Sequence, residues 1–320
     1  MSTPGRQRDT SAGGPGVGAA RQRIAARLVG RGRELELALA AVAAGRDLVL
    51  EGPPGTSKTT MLKAITEEWG IPLLFVEGNA DLTPAKLVGH HNPARVLRED
   101  YSADNFVAGP LVEAMRAGGF LYIEEFNRAP EDTLNALLTA MADRAVEVPR
   151  VGLITARPSF RVVASMNPYD NVGTTRLSTS VSDRLNRVVV DYQDATAEEG
   201  IVALRSGLAD GLARRATPDA VAVTRATRTH PDVRQGSSVR GAIDLALVVH
   251  QLAALRGLSG PDDERYPETF YDAMTVALSG RVRLDEAAET TPERVLRQIW
   301  EDLFLPRSGS ILNPAAAQPG

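Results

Sequence analysis

Residues 52–60 read GPPGTSKTT, a glycine-rich run with a lysine before two threonines. It follows a short apolar run, DLVLE (47–51), and precedes a segment with helical spacing of apolar residues over 59–69. A glycine-rich turn that leads from a strand into a helix directs backbone N–H groups toward one point, where the helix dipole favours a bound phosphate. The sequence therefore predicts a phosphate-binding strand–loop–helix unit at this place.

The spacing of this loop is that of G-x-x-x-x-G-K-[ST], with Ser57 at the position of the second glycine. We expect Lys58 to reach the β- and γ-phosphates, and Thr59 to offer its hydroxyl to Mg²⁺. Gly52 and Gly55 allow the backbone to turn tightly and to approach the ligand closely. Ser57 adds a small side chain, for which we expect a small cost in strain. The predicted nucleotide-binding residues are Gly52, Pro53, Pro54, Gly55, Thr56, Ser57, Lys58, Thr59 and Thr60.

Further short apolar runs alternate with helical patterns downstream of the loop. Continuous apolar runs of strand length are typical of a parallel sheet that has helices on both faces. From about Thr196 the strand pattern stops, and helical spacing continues up to Pro306. We therefore predict an α/β core with a parallel sheet, followed by a smaller all-α domain. The apolar runs are PLLFVEGN (72–79), FLYIEEF (120–126), FRVVASMN (160–167) and RVVVDY (187–192).

Changes in composition along the chain give the domain boundaries. The first residues are rich in Gly, Arg, Ser and Pro, and the last are small and polar, so we predict tails at both ends. Within the core, Pro and Gly residues interrupt an irregular segment, in which VLREDYSADNFVAG (96–109) suggests a hairpin that turns at SADN. The predicted parts are a disordered tail over 1–23, a nucleotide-binding core over 24–194 with an insertion at about 81–109, a helical domain over 195–306, and a flexible tail over 307–320.

Composition narrows the class of protein. The chain has 320 residues, of which 43% are hydrophobic, with a formal net charge of −4 and no cysteine. This balance favours a soluble globular protein without a nucleic-acid partner, and the lack of cysteine fits a reducing cytoplasm. The apolar stretch 35–45 is too short to cross a bilayer, so we expect a cytoplasmic protein without a membrane association.

Polar residues follow two of the predicted strands at their carboxyl ends, where ligands bind in open α/β sheets. Glu124 and Glu125 close the run FLYI, and Asn167 follows FRVVASM. One carboxylate at this place can hold the water shell of Mg²⁺ while its neighbour polarises an attacking water, and an amide beside that water can sense the γ-phosphate. A carboxylate in the first position is usually Asp, and the longer side chain of Glu124 would shift the metal's water shell.

Arginine side chains are the remaining requirement, because phosphoryl transfer is accelerated by positive charge on the transition state, often supplied by another subunit. Arg184, in SVSDRLNRVVVDY (180–192), lies just before the final strand of the core, and Arg176 and Arg187 are its competitors. Arg240 opens a helix in the helical domain and is the candidate contribution of that domain to the phosphates.

These motifs together resemble the AAA+ ATPases, and within them the MoxR-like group, over roughly 24–306. The most specific part is EEFNRAPEDTLNALLTAMADR (124–144), and SMNP (165–168), DRLNRV (183–188) and SSVRGA (237–242) follow in the family's order. The resemblance implies an αβα sandwich with a helical lid. It implies that Lys58 and Thr59 are the Walker A pair, Glu124 and Glu125 the Walker B acids, Asn167 sensor 1, Arg184 an arginine finger acting in trans, and Arg240 sensor 2.

The same resemblance implies an enzyme that hydrolyses ATP with Mg²⁺, assembles as a homo-oligomer, commonly a hexameric ring, and acts on a protein client like a chaperone. Many such proteins work with a partner that carries a von Willebrand factor A domain. Two alternatives stay open. One is a nucleic-acid-stimulated motor or loader on the same core, although only 5% of residues are aromatic. The other is a weakly hydrolysing, nucleotide-gated scaffold, which Ser57 and Glu124 suggest.

Overall fold

The computed structural model describes three stretches of the chain, residues 17–99, 102–168 and 178–305. Arg176, residues 1–16 and the tail predicted over 307–320 lie outside them. Across the described residues, none of the helices combines the length and the apolar character needed to cross a membrane.

Contacts divide the chain into two compact units, Met1–Tyr192 and Gln193–Gly320. The first unit alternates strands with helices. In chain order its elements are α1 (Val17–Ala25), α2 (Gly32–Ala43), β1 (Leu48–Glu51), α3 (Lys58–Trp69), β2 (Leu73–Glu77), α4 (Pro84–Val88), β3 (Gly89–His91), α5 (Pro93–Glu99), β4 (Phe106–Ala108), α6 (Pro110–Ala117), β5 (Phe120–Glu124), α7 (Glu131–Asp143), β6 (Ala145–Val148), β7 (Gly152–Thr155), β8 (Arg161–Met166), α8 (Thr179–Ser182) and β9 (Asn186–Val189).

Five parallel strands form the central sheet of the first unit, in the order β2-β5-β8-β1-β9. All residues of β1 are buried, as expected of a continuous apolar run with helices on both faces. One core cluster includes Val49 and Leu121, and the other includes Leu48 and Tyr122, so successive residues of each strand point to opposite faces. The prediction of an α/β fold with a parallel sheet is confirmed.

The start of the described chain differs from the prediction. The tail predicted over 1–23 is wrong for residues 17–23, because they belong to α1, where Ala20 and Ile24 are fully buried against α2 and α3. Arg23 donates from Nε to Glu68 of α3 at 2.6 Å. α1 and α2 are separate helices, and Gly30 lies between them with φ +65°.

The insertion forms an antiparallel pair between β3 and β4 rather than the predicted hairpin. Residues 96–99 are helical in α5, so the hairpin predicted over 96–109 is wrong, and only its second arm is a strand. The two strands approach so closely that a Cβ on Gly89 would lie 2.4 Å from the carbonyl oxygen of Val107. A second antiparallel pair, β6 with β7, follows α7 and was not predicted.

The second unit is mainly helical. Its elements are α9 (Ala195–Ser206), α10 (Ala213–Thr229), β10 (Val233–Gln235), α11 (Val239–Leu255), α12 (Tyr266–Leu278), β11 (Arg283–Leu284) and α13 (Pro292–Phe304). Tyr266, Phe270 and Trp300 lie in its core. The helical character follows the prediction, apart from the short antiparallel pair of β10 with β11.

We predict that α1 contributes to the stability of the first unit. Ile24→Ala should lower the free energy of unfolding by about 2–4 kcal/mol, because it removes a fully buried side chain and leaves a cavity. Val17→Ala, at an exposed position of the same helix, should change it by less than about 0.5 kcal/mol. Urea denaturation of both variants checks this, and equal effects would contradict the docked position of α1.

Candidate nucleotide-binding site

The register of the central strands brings the predicted site segments to one edge of the sheet. β8 lies between β5 and β1, and β1 and β8 end in register at Glu51 and Met166. Glu124 is the last residue of β5, and Asn167 directly follows β8. The acids, the amide and the loop after β1 therefore share the carboxyl edge, where a ligand is expected in such a sheet.

The glycine-rich loop has little space for larger residues. A Cβ on Gly52 would lie 2.0 Å from the carbonyl oxygen of Val190, so only glycine fits. Gly55 has φ +78°, a conformation that glycine adopts without strain. The buried hydroxyl of Thr56 donates to the carbonyl of Pro53 at 2.9 Å and closes the turn. The loop is therefore held in a tight conformation by its own contacts.

Lys58, the first residue of α3, is buried beneath this loop with 9% of its surface exposed. Its ammonium group donates to the carbonyl oxygens of Gly52 and Pro53, each at 2.8 Å, and to Thr56 Oγ1 at 3.4 Å. The side chain thus curls into the concavity of the loop, where a phosphate would meet it at the N-terminus of α3. Thr60, also predicted to bind, is exposed on α3.

Ser57 adopts the left-handed conformation, with φ +66° and ψ +20°. This explains why glycine is usual at this position of the motif, since a side chain there is strained. Across the described ranges, the other non-glycine residues with positive φ are Glu125, Arg144 and Arg150. Two of the four, Ser57 and Glu125, thus belong to the candidate site, and strained backbone is typical of functional sites.

Thr59 and Glu124 are joined directly. The Thr59 hydroxyl donates to Glu124 Oε1 at 2.8 Å and also contacts the hydroxyl of Tyr122 at 3.0 Å. The extra methylene of Glu124, compared with Asp, does not prevent this contact. Hydroxyl and carboxylate oxygens are the ligands that Mg²⁺ prefers, so this pair fits a magnesium ion held partly through water.

Glu125 follows β5 with φ +52° and ψ +44°. Its Oε2 lies 3.4 Å from Nε of Arg128, with which it forms an ion pair. A Cβ on Gly78, after β2, would lie 2.4 Å from the Glu125 carbonyl oxygen. Gly78, which follows β2, therefore packs directly against the turn that carries Glu125.

Asn127 and Asn167 link the acidic turn to the end of β8. Both are 7% exposed, and Asn127 donates from Nδ2 to the backbone carbonyl of Asn167 at 3.3 Å. This contact holds the backbone of Asn167 against the turn that follows Glu125. The Asn-Arg-Ala-Pro turn therefore has a structural role as a tie between the two strand ends.

The candidate arginines have different surroundings. Arg187 is bound by both oxygens of the buried Glu51, at 2.5 and 2.6 Å, within its own sheet. Arg184 is exposed and donates to the carbonyl of Ser180 at 2.9 Å. Arg176 lies outside the described residues, and Arg240 is exposed near the start of α11 in the second unit. Of Arg184 and Arg187, Arg184 is thus the one that can reach another molecule without breaking an ion pair with Glu51.

Comparisons with known proteins support a nucleotide-binding domain in the first unit. The model of the AAA domain of the dynein-related subfamily matches residues 47–185, from the residue before β1 to the residue before β9. A gas vesicle ATPase, GvpN, of Ancylobacter aquaticus is 28% identical over 296 residues, which cover 87% of this chain and 79% of the relative. The GvpN of Haloferax mediterranei is 28% identical over 68% of this chain and 64% of its own length.

Residues 47–185 are thus an AAA domain, and the matches indicate an ATPase. The MoxR-like resemblance drawn from the motifs is consistent with these matches. Solved structures share the fold of the ATPase at low identity. NtrX of Brucella abortus, solved in complex with ADP, has a TM-score of 0.53 and 21% identity over 89% of this chain and 64% of its own. A RuvB variant of Thermotoga maritima has a TM-score of 0.51 and 20% identity over 78% of this chain and 71% of its own.

Several residues of the ATPase site were not identified from the sequence. Tyr122 lies two residues before Glu124 on β5, and side chains at this spacing point to the same face of a strand. This spacing could have predicted that Tyr122 lies beside Glu124, and therefore near Thr59. The tie made by Asn127 and the pairing of Glu51 with Arg187 had no comparable signal, since both depend on neighbours far apart in sequence.

We predict that Ser57→Gly stabilises the ATPase by about 1 kcal/mol, since glycine relieves the left-handed strain. Ser57→Val should destabilise it by more than about 1 kcal/mol, because a β-branched residue tolerates positive φ poorly. Thermal unfolding without nucleotide measures both. A matched substitution of Ser180, which lies in the short helix α8, by Gly should not stabilise the protein. Stabilisation of both glycine variants by the same amount would contradict the strain at Ser57.

Proposed function

We propose that this AAA+ ATPase forms a homo-oligomeric ring and uses ATP hydrolysis to remodel a protein client. The observation that carries the proposal is the contrast between the arginines. Both side chains are exposed, but Arg187 forms an ion pair with Glu51, whereas Arg184 donates to the backbone carbonyl of Ser180. An exposed arginine near the end of the core is suited to the site of a neighbouring subunit, where it would stabilise the transition state. A hexamer is the assembly proposed.

The residues at the sheet edge would divide the chemistry as follows. Lys58 would exchange the carbonyls of Gly52 and Pro53 for phosphate oxygens, which are stronger acceptors because they are charged. Thr59 and Glu124 would hold Mg²⁺, which neutralises charge on the phosphates.

Glu125 is the proposed general base, since it follows β5 directly and its αL backbone directs it away from the strand. It would take a proton from the attacking water. Asn167, fixed through Asn127, would position that water. Arg240 is proposed to respond to nucleotide from the second unit.

The shared site is tested by mixing two inactive variants. Glu125→Gln should bind ATP but hydrolyse it at least about 100-fold more slowly, because the base is lost. Arg184→Ala should lose hydrolysis to a similar extent while keeping nucleotide affinity. Mixed and allowed to exchange subunits, the two should regain a measurable part of the wild-type rate, because sites form that combine Glu125 from one subunit with Arg184 from the other.

Phosphate release and particle imaging in ATP provide the measurements. Arg116→Ala, which removes an exposed arginine of α6, is the matched control and should hydrolyse ATP at the wild-type rate. Full activity of Arg184→Ala alone would contradict the role of Arg184 as an arginine finger. Inactive mixtures despite proven subunit exchange would contradict a site shared between subunits.

We further propose that the client is a component of gas vesicles. The support is the similarity to the gas vesicle ATPase of Ancylobacter aquaticus, which extends over both units of this chain. Residues outside the matched AAA domain are therefore included in the relationship. A partner with a von Willebrand factor A domain stays a prediction from the MoxR-like resemblance.

The proposed role in gas vesicle assembly is tested by expressing this chain in a strain of Ancylobacter aquaticus that lacks its own GvpN. We expect this chain to restore gas vesicles, counted by electron microscopy, and Glu125→Gln at equal protein level to restore fewer than about a tenth as many, given its slower hydrolysis. Equal vesicle numbers with both proteins would contradict a role for hydrolysis in the client's assembly.

A further inference from the structure

A chain of hydroxyl groups lies behind the candidate magnesium ligands. Ser165 Oγ is 2.9 Å from the Tyr122 hydroxyl, which is 3.0 Å from Thr59 Oγ1, and Thr59 Oγ1 is 2.8 Å from Glu124 Oε1. Tyr122 is fully buried and Ser165 is 1% exposed. The chain joins β8, β5 and the first turn of α3, and the roles assigned above account for its last two members only.

The acceptor at one end fixes the direction of these hydrogen bonds. An ionised carboxylate only accepts, so the Thr59 hydroxyl uses its single proton in the hydrogen bond that it donates to Glu124. Thr59 must then accept from Tyr122, and Tyr122 must accept from Ser165.

This arrangement sets the capacity of Thr59 as a ligand. Its oxygen has two lone pairs, and Tyr122 occupies one. The other lone pair stays available to a cation, while the hydroxyl proton of Thr59 points at Glu124. Without the Tyr122 hydroxyl, Thr59 would lose one of the two hydrogen bonds that orient its own hydroxyl, and a cation would have to order that group further on binding.

We propose that Tyr122 and Ser165 are positioning residues for the bound Mg²⁺–nucleotide, acting through the orientation of the Thr59 hydroxyl. The inference rests on the proposed role of Thr59 and Glu124 in holding Mg²⁺. Ser165 acts on Tyr122, and Tyr122 acts on Thr59, so the effect of removing Ser165 requires Tyr122 to be present.

Binding of a fluorescent ADP analogue, titrated with Mg²⁺ and repeated in EDTA, tests the proposal without hydrolysis. Tyr122→Phe removes one oxygen and keeps the ring that packs in the core. It should raise the half-saturating Mg²⁺ concentration about fivefold, which corresponds to ~1 kcal/mol. Its affinity for the analogue in EDTA should stay within about twofold of the wild type, because the loop and Lys58 are unchanged.

A double-mutant cycle tests the order of the two residues. Ser165→Ala should raise the half-saturating Mg²⁺ concentration about twofold, and the double variant should match Tyr122→Phe alone, since coupled residues are not additive. Tyr271→Phe, in the second unit, is the control and should change neither quantity. Urea denaturation identifies any variant that is unfolded under the assay conditions, and Tyr122→Leu then serves as a second test that lacks the hydroxyl.

The outcomes separate this inference from the proposed function. Wild-type protein that binds the analogue equally with and without Mg²⁺ would overturn the magnesium site itself. Mg²⁺-dependent binding that is the same in wild type and Tyr122→Phe would overturn only the positioning role. Equal weakening of Tyr122→Phe in Mg²⁺ and in EDTA would also overturn it, because that pattern indicates a general structural defect.

Discussion

The parallel pairing of β8 with β5 on one side and β1 on the other is the constraint on which the site depends. Parallel strands end at the same edge, so residues from three distant parts of the sequence arrive together without a dedicated scaffold. The tight approach of Gly52 to the carbonyl of Val190, after β9, extends the constraint to the edge strand. A shift of β8 by one residue would turn Ser165 away from Tyr122 and move Asn167 from its tie with Asn127.

The site combines tight packing with local strain. Ser57 and Glu125 adopt left-handed backbone conformations on either side of the polar edge, and each is followed directly by a turn of helix. Such conformations persist only where surrounding contacts determine them. Here those contacts are the ammonium of Lys58 on the loop carbonyls and the packing of Gly78 against the acidic turn. Strain at these two positions thus accompanies the functional geometry.

Local signals in the sequence predicted the central elements well. The loop, the strand before it and the helix after it are each indicated by residues within about ten positions, and the parallel sheet follows from continuous apolar runs. By contrast, α1 is rich in small and charged residues, and its burial depends on α2 and α3. The β6–β7 pair turns at Pro149 and Arg150, and its strands are too short for a clear alternation.

Within the site, residue types and strand ends sufficed to select Lys58, Glu124 and Asn167, whose roles stay predictions. The partners of these residues could not be selected, because hydroxyl chains and ion pairs between strands depend on register. The second unit was predicted as helical from its periodicity. Its buried Glu198, bound by Arg225 and Arg228, shows no signal in the sequence that distinguishes it from surface acids.

The docking of α1 has a practical consequence for anyone who shortens this protein. The matched AAA domain begins at residue 47, and the motif resemblance begins near Ile24. A fragment designed from either boundary would lack most or all of α1. Without α1, the apolar surfaces of α2 and α3 that cover Ile24 would face water, and exposed patches of this kind promote self-association. Aggregation of such a fragment would then be mistaken for assembly of the ring.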